Sequence, residues 1–427
     1  MRWFYSLILY LATPLILIYA AIRGLRDRDY LKRWPERFGF FEAPESTGGI
    51  VIHAASVGEV NAAAILIKPL RERFPGLTLC LTTFTPTGSG RALELFKGEV
   101  FHVYAPLDYP GATRRFFERA RPGLLIVMET EIWPNFYYQA SRREVPMMIA
   151  NARISQNSIK GYRRFRWIIA TTLGRVSFIG AQSKSDAGRL IEIGADSARL
   201  EVTGNLKFDL KLPPSLIESG EAIRQNWGAN RPVLVAGSTH ESDEKAVIEA
   251  FRRLLKQFPN ALLVLVPRHP ERFGRAAQLA RSSGLEVSLR SESINCPAST
   301  QCFIIDTMGE LLRYYAACDV AFVGGSLATI GGHNALEPAA LAKPVLFGPH
   351  TFNFEDITAQ LLNAGAAIRV SNARDLEQET MRLFTQPDLR DQMGQAGLEL
   401  VRSGQGALAK TLKIVLKLSQ NLHQESV

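Results

Sequence analysis

The chain is predicted to fold as two α/β domains in tandem, each built on a parallel sheet, behind one apolar N-terminal helix. Three features of the sequence predict this. An uncharged apolar run opens the chain, short apolar runs then alternate with helix-length segments, and a polar, proline-bearing stretch interrupts that alternation before it restarts. The length of 427 residues is too great for one ordinary core and suits two.

Residues 3–22, WFYSLILYLATPLILIYAAI, carry no charge. A membrane-crossing helix needs about 20 apolar residues. Pro14 is tolerable in such a helix, and Trp3, Tyr5 and Tyr19 suit its interfacial ends. In the following RGLRDRDYLKRWPERF, Arg23, Arg26, Arg28, Lys32, Arg33 and Arg37 outnumber Asp27, Asp29 and Glu36. Excess positive charge stays on the cytoplasmic side of a membrane, which predicts that the domains beyond are cytoplasmic. A cleaved signal peptide carries its positive charge first, whereas here only Arg2 precedes the apolar run. Residues 1–22 are therefore expected to be an uncleaved, single-pass transmembrane anchor, and 23–47 a basic juxtamembrane segment. A buried core helix suits the length less well.

From residue 48, buried strands are expected at 48–55, 77–84, 100–106, 124–130, 145–151, 177–182 and 200–205. Helix-length segments such as 59–74, 110–120, 132–143 and 183–194 lie between them. Strand–helix alternation with near-continuous apolar strands indicates a parallel sheet covered by helices on both faces. KFDLKLPPSL (207–216) breaks the pattern, which resumes with strands at 232–239, 261–268, 302–306, 320–326, 344–349 and 366–370. The expected division is a Rossmann-like domain at 48–206, a linker at 207–220 and a second Rossmann-like domain at 221–405. A final segment, 406–427, is helical over 406–423 and is placed to pack back on the first domain. Ligands of such folds bind beyond the carboxyl ends of the strands, here in a cleft between the domains.

Composition narrows the function class. Hydrophobic residues make up 46% and charged residues 21%, as in globular domains, and the net charge is +9. A basic balance fits an anionic membrane surface, a phosphorylated substrate or a nucleic acid. No zinc-finger spacing or single-strand-binding signature supports the last, so no nucleic-acid partner is expected. Cys80, Cys296, Cys302 and Cys318 form no CxxC pair, which points to a reducing compartment, without a disulfide framework or a structural zinc site.

Several motifs fall just after strands. In HAASVGEV (53–60), Glu59 sits in the first turn of a helix. A carboxylate there can accept a proton from an attacking hydroxyl, although from this segment alone a glutamate favoured by the helix dipole is the simpler reading. In ETEIWPN (129–135), Glu129 and Glu131 point to opposite sides if the segment stays extended. One then faces the cleft while the other caps or pairs inside, or the motif makes a structural ion pair with a nearby arginine. In GNLKFD (204–209), Lys207 is either solvated or stabilises developing negative charge. GSTHESDE (237–244) brings small residues and backbone donors to a helix start. PRHPERF (267–273) places Pro267, Arg268 and His269 after a strand, with Arg268 suited to a phosphate. DTMGELLRYYAACD (306–319) brings Met308, Gly309 and Glu310 to a helix start, where a capping box is the alternative. In GGSLATIGGHNALEPAALAKPVLFGP (324–349), glycine pairs precede a helix expected to begin at Asn334. Its amides can face an anion, and Glu337 can accept from ribose hydroxyls. GYRRFRWII (161–169) mixes Arg163, Arg164 and Arg166 with aromatics, as a bilayer-surface segment does, or as a helix with a solvated basic face.

Together, SVGEV, ETEIWPN, GNLKFD, PRHPERF and GGHNALEPAA behind an apolar N-terminus resemble the 3-deoxy-D-manno-octulosonic acid (Kdo) transferases of lipopolysaccharide synthesis. The resemblance covers nearly the whole chain. It implies the GT-B glycosyltransferase fold and inverting transfer of Kdo from the donor CMP-Kdo to the acceptor lipid IVA. No metal or other cofactor is implied, and the enzyme is placed among the lipids of the bacterial inner membrane. It assigns the catalytic base to Glu59 and transition-state stabilisation to Glu129 and Lys207. The CMP contacts it implies are Pro267, Arg268, Met308, Gly309, Glu310, Asn334, Ala335, Leu336 and Glu337, and it gives Glu131 and His269 no role. The competing readings are a UDP-sugar-dependent transferase or epimerase of the same architecture, and a non-catalytic, membrane-tethered lipid-binding protein.

Overall fold

The computed structural model describes residues 2–26, 28–210, 212–293 and 295–420. The chain forms two compact units, Met1–Asp209 with Gly404–Val427, and Leu210–Ser403.

In the first unit the strands are β1 (Ile50–His53), β2 (Leu79–Thr83), β3 (Phe101–Tyr104), β4 (Leu124–Met128), β5 (Met147–Ala152), β6 (Phe178–Ala181) and β7 (Leu200–Val202). They form a sheet in the order β3-β2-β1-β4-β5-β6-β7 with parallel neighbours. Both faces of the inner strands are covered, which is why they read as unbroken apolar runs, whereas the edge strand β7 exposes Glu201. Along β1 the side chains alternate between two cores. Val51 packs on one side with Leu125, Phe116 and Phe136. Ile50 and Ile52 pack on the other with Ile126, Leu66 and Leu70.

The second unit repeats the plan with β8 (Val233–Thr239), β9 (Leu262–Pro267), β10 (Val287–Leu289), β11 (Cys302–Ile304), β12 (Val320–Val323), β13 (Val345–Phe347) and β14 (Ala367–Arg369). Its order is β10-β11-β9-β8-β12-β13-β14, again parallel. β10 was not expected from sequence. It is a three-residue edge strand, only half-buried, and so lacks an apolar run.

In each sheet the strand order reverses at its first strand. β1 lies between β2 and β4, and β8 between β9 and β12. The loops leaving two such neighbours diverge to opposite faces and open a crevice at the strands' carboxyl ends. Glu59 and Glu129 follow β1 and β4, while His240 and Gly324 follow β8 and β12.

Residues 207–220 are not simply extended. Leu206–Phe208 makes a single 3-10 turn, and the helix Ser215–Trp227 belongs to the second unit. The helix Ala407–Leu418 belongs to the first unit. Asp209 caps its start, accepting the N–H of Gly406 (2.7 Å) and Leu408 (2.6 Å). Its buried Ala407 and Val415 join the core of Leu206 and Leu66.

Helix α1 (Arg2–Arg26) is long and apolar enough over Arg2–Leu25 to cross a membrane. Two of the basic residues that follow it are built into the unit rather than solvated. Arg33 binds Glu36 through two nitrogens (2.6 and 2.8 Å) and donates to the His102 carbonyl (3.0 Å). Arg37 is buried with its guanidinium 4.2 Å from the centre of the Tyr104 ring. The four cysteines are free and buried.

Candidate active site

β1 ends at His53, and the helix Val57–Arg73 begins after Ser56. Glu59 lies in its first turn and is 7% exposed. One carboxylate oxygen accepts the Ala55 N–H (2.8 Å) and the other the Ser56 hydroxyl (2.9 Å). The side chain therefore folds back onto the two residues before the helix, and these two bonds fix the direction of its carboxylate. Burial, then the charges of Glu131 and Glu129, push its pKa up to about 8, against the pull of the two hydrogen bonds. Such a carboxyl takes up a proton readily near neutral pH.

Glu129 is placed differently from the extended geometry expected of it. β4 stops at Met128, and Glu129 adopts a left-handed conformation with φ 55°. Such a backbone costs a non-glycine residue roughly 1–3 kcal/mol. Its side chain is held by two cations, with Arg153 Nε at 2.8 Å from one oxygen and Lys207 Nζ at 3.4 Å from the other. The ion pair with an arginine thus exists, and it shares its carboxylate with Lys207. Asn151, at the end of β5, is also left-handed (φ 57°). Its Oδ1 accepts the Leu206 N–H (3.0 Å) and so fixes the backbone next to Lys207. Glu131 instead accepts the indole N–H of Trp133 (2.8 Å), and burial raises its pKa.

Three segments, after β4, after β5 and after β7, thus bring Glu129, Arg153 and Lys207 together, and Glu59 is close enough to feel both glutamates. Sequence reasoning missed Arg153. The available signal was an arginine directly after a buried strand, the same signal that drew attention to Arg268.

In the second unit, Pro267 ends β9, and the Arg268 N–H donates to the Thr239 carbonyl (3.0 Å). Glu310 precedes the helix Leu311–Ala317 but makes no side-chain cap. It pairs with Arg313 (2.6 Å) and Arg290 (3.1 Å). Burial would raise its pKa, but the Thr307 hydroxyl and the two arginines outweigh burial and hold it below the usual range. Gly309 beside it has φ 84°, and Met308 is exposed.

The glycine-rich loop after β12 follows a different logic from the expected one. A side chain at Gly324 would bring its Cβ to 2.5 Å from the Ser238 carbonyl oxygen. The N–H groups of Gly325, Leu327 and Ala328 converge on the carboxylate of Asp243 (2.8, 3.0 and 3.2 Å), which also accepts the His240 N–H (2.9 Å). These loop amides are thus satisfied by an internal anion. The helix that follows is only Leu336–Ala340, starting two residues beyond Asn334. Asn334 accepts the Leu336 N–H and donates to Glu337, both at 3.2 Å, so Asn334, Ala335, Leu336 and Glu337 form one braced turn. Five residues carry a small dipole, and side chains here matter more than a helix terminus. His240 and His333 stack nearly parallel with their Nε2 atoms 3.1 Å apart, and the ring of His269 stands edge-on to His240. Among the described residues no group of three or more His, Cys, Asp or Glu side chains is arranged to hold a metal ion.

Comparison with known proteins agrees with this layout. A family model described as 3-deoxy-D-manno-octulosonic-acid transferase (kdotransferase) matches residues 32–210, and one for glycosyl transferases group 1 matches residues 228–400. Among solved structures, the UDP-GlcNAc 2-epimerase of Neisseria meningitidis bound to UDP-GlcNAc is similar with a TM-score of 0.52 at 16% identity, covering 86% of this chain and 100% of that one. At that identity the likeness speaks for the fold alone. The chain is 37% identical to the 3-deoxy-D-manno-octulosonic acid transferase of Bordetella pertussis over 418 residues (92% of this chain, 96% of the relative). It is 39% identical to that of Haemophilus influenzae over 417 residues (97% and 98%). With such identity running almost end to end through both units, the chain belongs to the 3-deoxy-D-manno-octulosonic acid transferase family, as a glycosyltransferase of GT-B fold.

Proposed function

We propose that the enzyme transfers Kdo from CMP-Kdo to lipid IVA in lipopolysaccharide synthesis, with inversion and without a metal, at the cytoplasmic face of the bacterial inner membrane. The observation that carries this reading is Glu59, a buried carboxylate aimed by two hydrogen bonds and with a raised pKa, beside the Glu129–Arg153–Lys207 cluster. A hydroxyl of the acceptor attacks the anomeric carbon of Kdo and gives its proton to Glu59. The bond from that carbon to the phosphate oxygen breaks, and CMP leaves with the electron pair. One carboxylate suffices for such an inverting displacement, because a phosphate leaving group needs no acid. Lys207 meets developing negative charge, and Glu129 meets the positive charge that builds on the sugar. In the second unit Arg268 takes the phosphate and Glu337 the ribose. Pro267, Met308, Gly309, Glu310, Asn334, Ala335 and Leu336 complete the nucleotide contacts.

The direct test is mass spectrometry of lipid IVA after incubation with the enzyme and CMP-Kdo. A gain of one or more Kdo units is expected; unmodified lipid IVA together with tight UDP binding would point to a UDP-sugar enzyme instead. Arg268→Ala and Glu337→Ala are each expected to weaken CMP binding in calorimetry. Losing a charge-assisted hydrogen bond costs about 1.5–3 kcal/mol, or roughly tenfold to over a hundredfold in affinity. Unchanged affinity in both variants would place the nucleotide elsewhere. EDTA is expected to leave the transfer rate intact, since Arg268 can balance the single phosphate of CMP; loss of activity restored by magnesium would contradict this.

A further inference from the structure

α1 has two distinct faces. One carries Arg2, Tyr5, Ser6 and Thr13, spaced as neighbours on a helix, and it is bound to the first unit. Arg2 donates to Asn135 Oδ1 (3.0 Å) and lies 3.8 Å from the centre of the Tyr138 ring. Ser6 is buried and hydrogen-bonds the Asn135 side chain (3.1 Å). Tyr5 hydrogen-bonds Asp108, and the Thr13 hydroxyl lies 2.8 Å from that of Tyr109. The socket is built for this. Asn135 is fully buried, and Asp108 binds the backbone N–H groups of Asn135 (3.0 Å) and Phe136 (2.7 Å). The opposite face is exposed and apolar, with Trp3, Leu7, Leu11, Leu15, Ile18 and Ile22.

The far end of α1 returns to the same unit. Arg23 donates to Tyr30 (2.7 Å), and the Trp34 indole to the Tyr30 carbonyl (2.9 Å). From there the chain runs into the Arg33–Glu36–His102 contacts described above. A crossing helix has its two ends on opposite sides of about 30 Å of hydrocarbon, and a folded α/β unit cannot follow it there. Here both ends are fastened to one α/β unit.

We propose that α1 lies in the plane of the membrane instead of crossing it. Its polar face stays latched to the first unit, and its exposed apolar face is sunk into the acyl boundary of one anionic phospholipid leaflet. This rests on the membrane placement proposed above and replaces the single-pass crossing expected from sequence. The surroundings fit an anionic leaflet. Phe4 at the start of α1 lies 6.4 Å, ring to ring, from Trp167, which is exposed with Phe165 beside Arg163, Arg164 and Arg166. The basic aromatic segment 161–169 thus continues the apolar face of α1 as one surface, with rings for the interface and Arg164 for phosphates, while Arg163 pairs with the Glu192 carboxylate and Arg166 donates to the Glu192 carbonyl (2.8 Å). The consequence is positional. Asn135, which holds the latch, lies six residues beyond Glu129, so the latch fixes the height of the site over the leaflet that carries a lipid acceptor.

The test uses the full chain in native membranes. An uncharged protease site is placed before residue 1 and another after residue 427, and sealed right-side-out and inverted vesicles are digested. Both sites are expected to be cut in the same vesicle orientation; cleavage of the two from opposite sides would overturn the proposal. In parallel, Ser6→Cys with Asn135→Cys is oxidised in intact membranes, and a cross-link is expected that Ser6→Cys alone does not form. Failure to link in a double variant whose first unit still resists proteolysis would also overturn the latch. If that variant does not fold, vesicle topology alone decides. Neither readout involves Kdo transfer, so an error about donor or acceptor would leave both results unchanged.

Discussion

Glu59→Gln is expected to fold, to bind CMP as the wild type does, and to lose Kdo transfer by roughly a hundred- to ten-thousand-fold, the usual contribution of general acid–base catalysis. The amide keeps the size of the carboxylate. Its oxygen can still accept the Ala55 N–H, and its NH2 can donate to the Ser56 oxygen, so the helix start survives. What is lost is the ability to take a proton. A second signature belongs to the wild type. A base works only when deprotonated, and burial with the neighbouring Glu131 and Glu129 raises this carboxyl to about 8. Below that pH most of the enzyme carries the proton already. The wild-type kcat/KM is therefore expected to climb as pH rises toward 8 and to level off above it. The residual rate of Glu59→Gln should lack that climb. Turnover within a few-fold of wild type, or a wild-type profile that is flat across this range, would remove Glu59 from the role of base.

What could be read from sequence follows from how local each signal is. Inner strands such as β1, β2, β4, β5, β8, β9 and β12 stand out because a strand buried on both faces must be apolar along its whole length. β10 does not, because three half-buried residues at a sheet edge leave no pattern. Glu59, Glu129, Lys207 and Arg268 were visible as charged residues placed after strands or at the end of the domain. Their partners were not, because the contacts are long-range. Arg153 reaches Glu129 across 24 residues, and Asp209 caps a distant helix through Gly406, 197 residues later. The left-handed turn at Glu129 was hidden for another reason. Glycine is the residue that announces positive φ, and here a glutamate is held there by Arg153 and Lys207. The glycine-rich loop after β12 was legible as a loop, but its amides serve Asp243, 82 residues from Gly325 in sequence.

That carboxylate gives the second large expectation. Asp243→Ala should destabilise the second unit by about 3–5 kcal/mol, because it leaves several buried N–H donors without an acceptor. Asp243 is fully buried and accepts four backbone N–H groups, one from the helix start at His240 and three from the loop at Gly325, Leu327 and Ala328. Alanine leaves all four donors without their acceptor, and each unsatisfied buried group costs about 1–3 kcal/mol before relaxation or water entry recovers part of it. For a unit of this size the thermal midpoint should fall by roughly 10 °C. The loop leads into His333, Asn334 and Glu337, so CMP affinity should fall as well, even though Asp243 has no assigned contact with the nucleotide. Asp243→Asn separates the two effects. Its remaining oxygen can still serve Leu327 and Ala328, while its NH2 opposes the N–H groups of His240 and Gly325. It should therefore lie between wild type and alanine in both stability and affinity. Calorimetric unfolding and CMP titration on the three proteins test this together. If Asp243→Ala unfolds within about 1 kcal/mol of wild type, an ordinary surface-like effect, the loop is held by its glycines and neighbours, and Asp243 is not what shapes it.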